Sequence, residues 1–237
     1  MRVVGIGWWR AALVALAFHA APAVAATIPF TEEFAASDSL WRANSNLENS
    51  LTWSASGGVD GSSYVSGTFN FVSSTAGAQG PVLFRGPGVA SGGAFVGNWL
   101  TEGVLEMSFY VRHDAGVPVN FFARFASPFG FPGAIAASFA PTQSLPVGDW
   151  TKITFAITPS NPAFVSFEGS SFDTVFSNVG IVQVGASIPT PLAGVDQVVH
   201  FDLDRVSIRG VPEPSGAALL VLGLGIAGLA RSHKRRQ

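Results

Sequence analysis

The chain has 237 residues and a formal net charge of −2; 48% of it is apolar, 12% is charged, and it holds 27 Gly, 15 Pro and no Cys. Without cysteine there is no disulfide framework, thiolate metal site or cysteine nucleophile, and the Gly and Pro content suits short strands and tight turns better than a helical bundle. From Ala26 to Gly210 there are fourteen acids against seven Lys or Arg, a balance of −7, so nucleic acid is not an expected partner.

The chain begins with the three parts of a secretory signal. Arg2 and Arg10 form a positive segment, Ala11 to Ala21 is apolar, and Pro22 precedes the small-x-small triplet Ala23-Val24-Ala25. Residues 1–25 are therefore expected to form a signal helix removed by signal peptidase, leaving a domain over 26–210.

Within that domain the apolar pattern has a period of two. In GVLEMSFYVRH, Leu105, Met107, Phe109 and Val111 share one side. WTKITFAI and PVNFFARFA alternate in the same way. Further strands are expected in LTWSAS, SYVSGTFNFV, GAFVGNW, AIAASFA, AFVSFEG, NVGIVQVGA and VVHFDLDRVSIR, separated by turn formers such as GGVDGS, HDAG and SPFGFPG. About ten strands with one apolar face each predict an all-β, two-sheet antiparallel jelly-roll sandwich. A hairpin through His113 to Val117 would pair Val111 with Val119, Tyr110 with Asn120, Ser108 with Phe122 and Glu106 with Arg124. Its polar face would offer Tyr110, Arg112, Asn120, Phe122 and Arg124 to a sugar ligand, with Tyr110 and Phe122 as an aromatic platform. Trp41, Trp53, Trp99 and Trp150 are expected in the core or at its rim.

In the closing strand Val199, Phe201 and Leu203 share one phase, and Val206 and Ile208 the other. The slip at Asp204-Arg205 predicts a β-bulge. With the first and last strands adjacent, Asp202 and Asp204 plus Glu32 or Glu33 would supply hard oxygen ligands for a structural Ca²⁺. Alternatively these acids lie solvated on the outer face, with Asp204 paired to Arg205 or Arg209.

The chain ends with VPEPSGAALLVLGLGIAGLARSHKRRQ. Residues 215–230 carry no charge and as a helix would reach roughly 24 Å, a short transmembrane segment. The basic residues after it would remain cytoplasmic. Val211-Pro212-Glu213-Pro214, the apolar run and the terminal cluster Arg231 to Arg236 resemble the PEP-CTERM sorting signal in that order. The resemblance implies residence in the inner membrane during transit and recognition by an exosortase, a membrane transpeptidase of Gram-negative bacteria that also make extracellular polysaccharide. In the middle, IPFTEEF, GGVDGSSY and VHFDLDRVSIRG resemble jelly-roll, galactose-binding-like carbohydrate-binding modules, although the closing strand reads DLDR where those read D-D.

No nucleophile or zinc motif is present, and the domain holds only His113 and His200. Glu102 and Glu106 lack the spacing of a glucanase carboxyl pair. The expectation is an exported, non-catalytic cell-surface or matrix protein that binds extracellular polysaccharide. A structural surface protein without a ligand and a glycan hydrolase are the alternatives.

Overall fold

A computed structural model describes residues 25–44, 49–76, 80–138 and 149–210; residues 1–24 and 211–237, on which the expected signal helix (1–25) and transmembrane segment (215–230) fall, lie outside the described residues. The strands are β1 (Phe30–Glu32), β2 (Arg42–Ala43), β3 (Thr52–Ser54), β4 (Tyr64–Asn70), β5 (Val82–Gly86), β6 (Val104–His113), β7 (Phe121–Ala126), β8 (Gly133–Ala137), β9 (Thr151–Ala156), β10 (Phe164–Ser166), β11 (Ile181–Ala186) and β12 (Val198–Gly210). Among the described residues there is one short α-helix, α1, over Phe172–Phe176. The first sheet runs β3-β4-β12-β6-β9 with β1 also on β12, and the second runs β10-β8-β7-β11-β5-β2. All-β, two-sheeted and antiparallel, this is the architecture expected from the alternation.

The period-two pattern works by aiming alternate side chains inward. Met107, Phe109 and Val111 of β6, with Ile153 and Phe155 of β9, meet Phe121, Ala123 and Phe125 of β7 across one core. The large buried residues Trp41, Trp99, Phe176 and Phe201 fill the space between the sheets. Trp99 stacks edge-on against Phe125 with centroids 5.4 Å apart. Such pairs add roughly 0.5–1.5 kcal/mol beyond the area they bury.

Three sequence expectations are corrected here. The β6–β7 hairpin does not form: β6 lies between β12 and β9, while β7 lies between β11 and β8. Tyr110 therefore pairs with Asp204 and Lys152, and Arg124 with Gln183 and Ile135. The connection crosses from one sheet to the other because both strands turn their apolar faces to the same core from opposite sides; Phe121 packs against Phe201 there. GAFVGNW is not a strand. Its Gly93 and Gly97 have φ of 83° and 144°, and the chain coils so that Trp99 Nε1 donates to the Phe95 carbonyl at 2.9 Å. Trp150 is not a core residue and lies on the outer face of the first sheet, while Trp53 is partly exposed.

The slip in the closing strand is a bulge. The β12–β6 register shifts between Asp204 and Ser207, and Arg205 has φ of 47°. Before it, residues 198–203 pair with β4; after it, Val206, Ser207 and Ile208 pair with Glu32, Thr31 and Phe30 of β1. The first and last strands are thus neighbours, and the bulge is where β12 changes partner.

Candidate functional site

The outer face of the first sheet is polar because each strand turns its other phase outward. A cross-strand row runs Thr52, Ser66, Asp202, Arg112. Asp202 Oδ2 accepts from Arg112 Nε at 2.8 Å and lies 2.7 Å from Nη2, and its Oδ1 accepts from Ser66 Oγ at 2.5 Å. The guanidinium sits 5.0 Å from the centroid of Tyr64 and 4.5 Å from that of Trp150. Those two rings meet edge-on, with centroids 5.6 Å apart. The Gly57 carbonyl accepts from both Arg112 Nη1 and Trp150 Nε1 at 3.1 Å. Ion pair, cation–π contacts and loop carbonyl together hold the Tyr64 and Trp150 rings in fixed positions.

Beside this cluster lies a cleft of about 750 Å³, with Tyr64 as its aromatic wall and Asn49, Thr52, Ser66, Thr68 and His200 among its polar lining. Its size falls within the ~300–1,000 Å³ of small-molecule sites. Hydroxyls and amides dominate the described lining residues, and none of these is Asp or Glu. His200 is anchored from outside, with Nδ1 2.9 Å from Asp114 Oδ2. Such a cleft offers an apolar ring to the C–H face of a sugar and neutral donors and acceptors to its hydroxyls. Among the described residues that line it there is no pair of facing carboxyls of the kind glycoside hydrolysis uses.

Under the loop that carries Gly57 lies a second device. Asp204 is completely buried at the bulge; its Oδ2 accepts from Val59 N at 2.8 Å and lies 2.8 Å from Ser62 Oγ, and its Oδ1 accepts from Arg205 N at 2.7 Å. Burial pushes its carboxyl above the ordinary carboxylate range, against the lowering effect of these bonds and of Arg205. The GGVDGS stretch has the composition this contact demands. A Cβ on Gly58 would lie 2.6 Å from Asp204 Oδ2, and Gly61 has φ of 80°.

The acids considered for calcium do not converge. Glu32 Oε1 accepts from Phe34 N at 2.7 Å, Glu33 pairs with Arg205 at 3.3 Å, Asp202 serves Arg112 and Ser66, and Asp204 serves the loop. Among the described residues no group of three or more His, Asp or Glu is arranged to hold a metal ion. These residues do not fit a shared Ca²⁺ cage, since a cation would have to displace Arg112 or Arg205. Thermal melts in calcium and in chelator are therefore expected to coincide; a gap of several degrees would contradict this arrangement.

Of the predicted sugar-binding residues, Tyr110 and Arg112 lie on the first sheet's outer face. Phe122 and Arg124 lie on the outer face of the second, so the structure does not bring the set together. Phe122 is 5% exposed and its ring tip lies against Gly185, where a Cβ would stand 2.0 Å from Cζ; it offers no open platform with Tyr110. Asn120 gives its carbonyl to Ser187 N at 2.8 Å. Arg124 is consumed by Glu168 at 2.6 and 2.7 Å and by Gln183 at 2.8 Å. Sequence reasoning missed Tyr64, Ser66, Thr68 and Trp150. The outward phase of SYVSGTFN was a readable signal for the first three, whereas nothing local marked Trp150.

Residues 210–236 match the family model described as the PEP-CTERM protein-sorting motif. The chain carries this motif, which implies export and membrane anchoring before processing; among the described residues no helix is long and apolar enough to cross a membrane. No curated protein matches the chain. Solved structures similar to it include the CBM22-1-GH10 modules of xylanase 10B from Clostridium thermocellum, complexed with xylohexaose, at 15% identity and TM-score 0.42. That match covers 77% of this chain and 28% of that one, so the chain spans little more than a quarter of its length. The CBM22-1 xylan-binding domain of Paenibacillus barcinonensis Xyn10C is similar at 18% identity and TM-score 0.39, over 80% of this chain and 98% of that one. The family 11 carbohydrate-binding module of Lic26A-Cel5E from Clostridium thermocellum is similar at 10% identity and TM-score 0.45, over 80% and 99%. The ligands named for these proteins are theirs and are not transferred by likeness at this level.

Proposed function

We propose that this is an exported protein, sorted by an exosortase-type system after signal peptidase has acted, whose β-sandwich binds a polysaccharide chain at the cell surface or in the matrix without cleaving it. The observation that carries the reading is the cleft walled by Tyr64 and lined, among the described residues, by hydroxyl and amide groups. A neutral, hydroxyl-rich chain matches that lining, and the pinned Tyr64 and Trp150 rings lose little freedom when a sugar stacks on them.

Affinity electrophoresis of the purified protein through a panel of neutral and uronate-bearing polysaccharides tests it. Retardation by at least one neutral chain is expected. Tyr64→Ala is expected to weaken that binding about tenfold, equivalent to about 1.4 kcal/mol. Migration unaffected by every polysaccharide, or retardation indifferent to Tyr64→Ala, would refute the assignment.

A further inference from the structure

Two phenylalanines stand almost free in solvent at the tip of the turn between β7 and β8, Phe129 at 95% and Phe131 at 65% exposure. The tip beneath them is firmly built. Gly130 N donates to the Ser127 carbonyl at 2.8 Å, Ser127 Oγ to the Phe131 carbonyl at 2.7 Å, and Arg124 Nη2 to the Gly130 carbonyl at 2.6 Å. Rigid, protruding aromatic rings are an unusual use of surface for a protein that stays in water.

Their place in the fold gives them an occupant. Gly210, the last residue of β12, packs against Gly103 and Ile28, where a Cβ would lie 2.7 and 3.0 Å from them. A Cβ on Gly97 would in turn lie 2.8 Å from Ala26 N, and Gly97 is bridged to Val179 by two bonds of 2.9 Å. The neighbouring Gly180 donates to the Ala126 carbonyl at 2.8 Å and abuts Pro128, the residue before Phe129. The aromatic tip and the exit of the sorting tail therefore share one end of the sandwich. Val89 and Leu100, both exposed, join it there: Gly88 lies against the Gly180 carbonyl, and Leu100 sits in the turn that enters β6 beside Gly210.

Only Val211-Pro212-Glu213-Pro214 separates Gly210 from the apolar run that starts at Ser215. Five residue steps of at most ~3.6 Å hold this end within about 18 Å of the run. While the tail is seated in a membrane, the lipid surface is the one apolar medium within reach of the tip, and a protruding tip suits insertion between headgroups better than the docking of a helix. We propose that this end of the sandwich, led by Phe129 and Phe131, rests on the bilayer that holds the sorting tail. His200 of the cleft lies ten residues back along β12, about 30 Å from the exit at ~3.3 Å per residue. The seated domain thus turns its cleft away from the lipid while the VPEP segment is held at the membrane surface for processing. This rests on the tail being membrane-seated before processing.

The chain has no cysteine, so one introduced thiol is labelled uniquely. The test uses the full chain in vesicles of phosphatidylethanolamine and phosphatidylglycerol, with an environment-sensitive dye at Phe131→Cys or, at the far end, at Val198→Cys. Vesicle flotation is measured alongside. The dye at 131 is expected to shift to the blue and to be quenched by shallow spin-labelled lipid, while the dye at 198 stays aqueous. Adding Phe129→Ser, at a site too exposed to endanger folding, is expected to reduce the quenching at 131. A floating protein with equal, water-like signals at both positions, or quenching at 131 indifferent to Phe129→Ser, overturns the seating and leaves the tail reading intact. Failure to float overturns the tail reading, and the seating with it.

Discussion

Asp204→Ala is expected to destabilise the domain by about 3 kcal/mol. The substitution leaves the Val59 and Arg205 amides without the carboxylate they donate to in a buried setting, while the Ser62 hydroxyl keeps the Val59 carbonyl at 2.6 Å as its acceptor. Hydrogen bonds to charged groups contribute roughly 1.5–3 kcal/mol each, offset by the desolvation of the carboxylate. Asp204→Asn keeps one acceptor oxygen and removes the buried charge, so a smaller loss is expected from it. Urea unfolding checks this through a lowered midpoint at unchanged slope. A change within about 0.5 kcal/mol, typical of surface substitutions, would show that the carboxylate does not hold the loop. The same variant should weaken polysaccharide binding, because the loop it releases carries the Gly57 carbonyl that holds Arg112 and Trp150.

His113 sets a pH dependence of stability. Its ring is buried beside Phe121 and Phe201, Nδ1 accepts from Ala115 N at 3.3 Å, and Nε2 has no hydrogen-bond partner among the described residues. Burial holds its pKa below the ordinary 6.5, with neighbouring Asp114 pulling the other way. Above pH 6.5 both folded and unfolded chains carry a neutral ring, and the domain has its full stability. As the pH falls from 6.5 toward the lowered folded value, only the unfolded chain gains the proton, so stability falls by up to about 1.4 kcal/mol per pH unit. Asp204, whose pKa is raised, has the opposite sign: the stability linked to its proton is present at low pH and is lost as the pH rises through the raised value. Comparing wild type with His113→Leu cancels that contribution. Denaturant melts between pH 7.5 and 5 should show the wild type losing stability relative to the variant; parallel curves would place the dependence elsewhere.

Facing was legible in the sequence and partnership was not. The alternation of β6, β7 and β9 assigned inward and outward residues because a strand's side chains have a period of two; Leu105, expected inward with Met107, is exposed instead, where the β12–β6 register shifts between Arg209 and Gly210. The slip at Asp204-Arg205 likewise announced the bulge. Which strand lies beside which depends on the whole sandwich, so a local hairpin that satisfied every pattern rule was wrong. Tyr64 and Trp150 meet only because β4, β12, β6 and β9 lie in that order. The acids looked like a metal cluster because sequence shows their proximity along β1 and β12 but not the Arg112 and Arg205 side chains that claim two of them. The two-residue β2 and the single-turn α1 are too short for any period to register.

The central claim is that a polysaccharide chain lies in the Tyr64 cleft on the outer face of the first sheet. Backbone NMR shifts of the labelled domain, followed while titrating an oligosaccharide from a polysaccharide that retards it, test this most directly. The account predicts perturbations clustered on Thr52, Tyr64, Ser66, Thr68, His200 and Trp150. Perturbations centred instead on Arg85, Phe122 and Gln183 of the second sheet would contradict it.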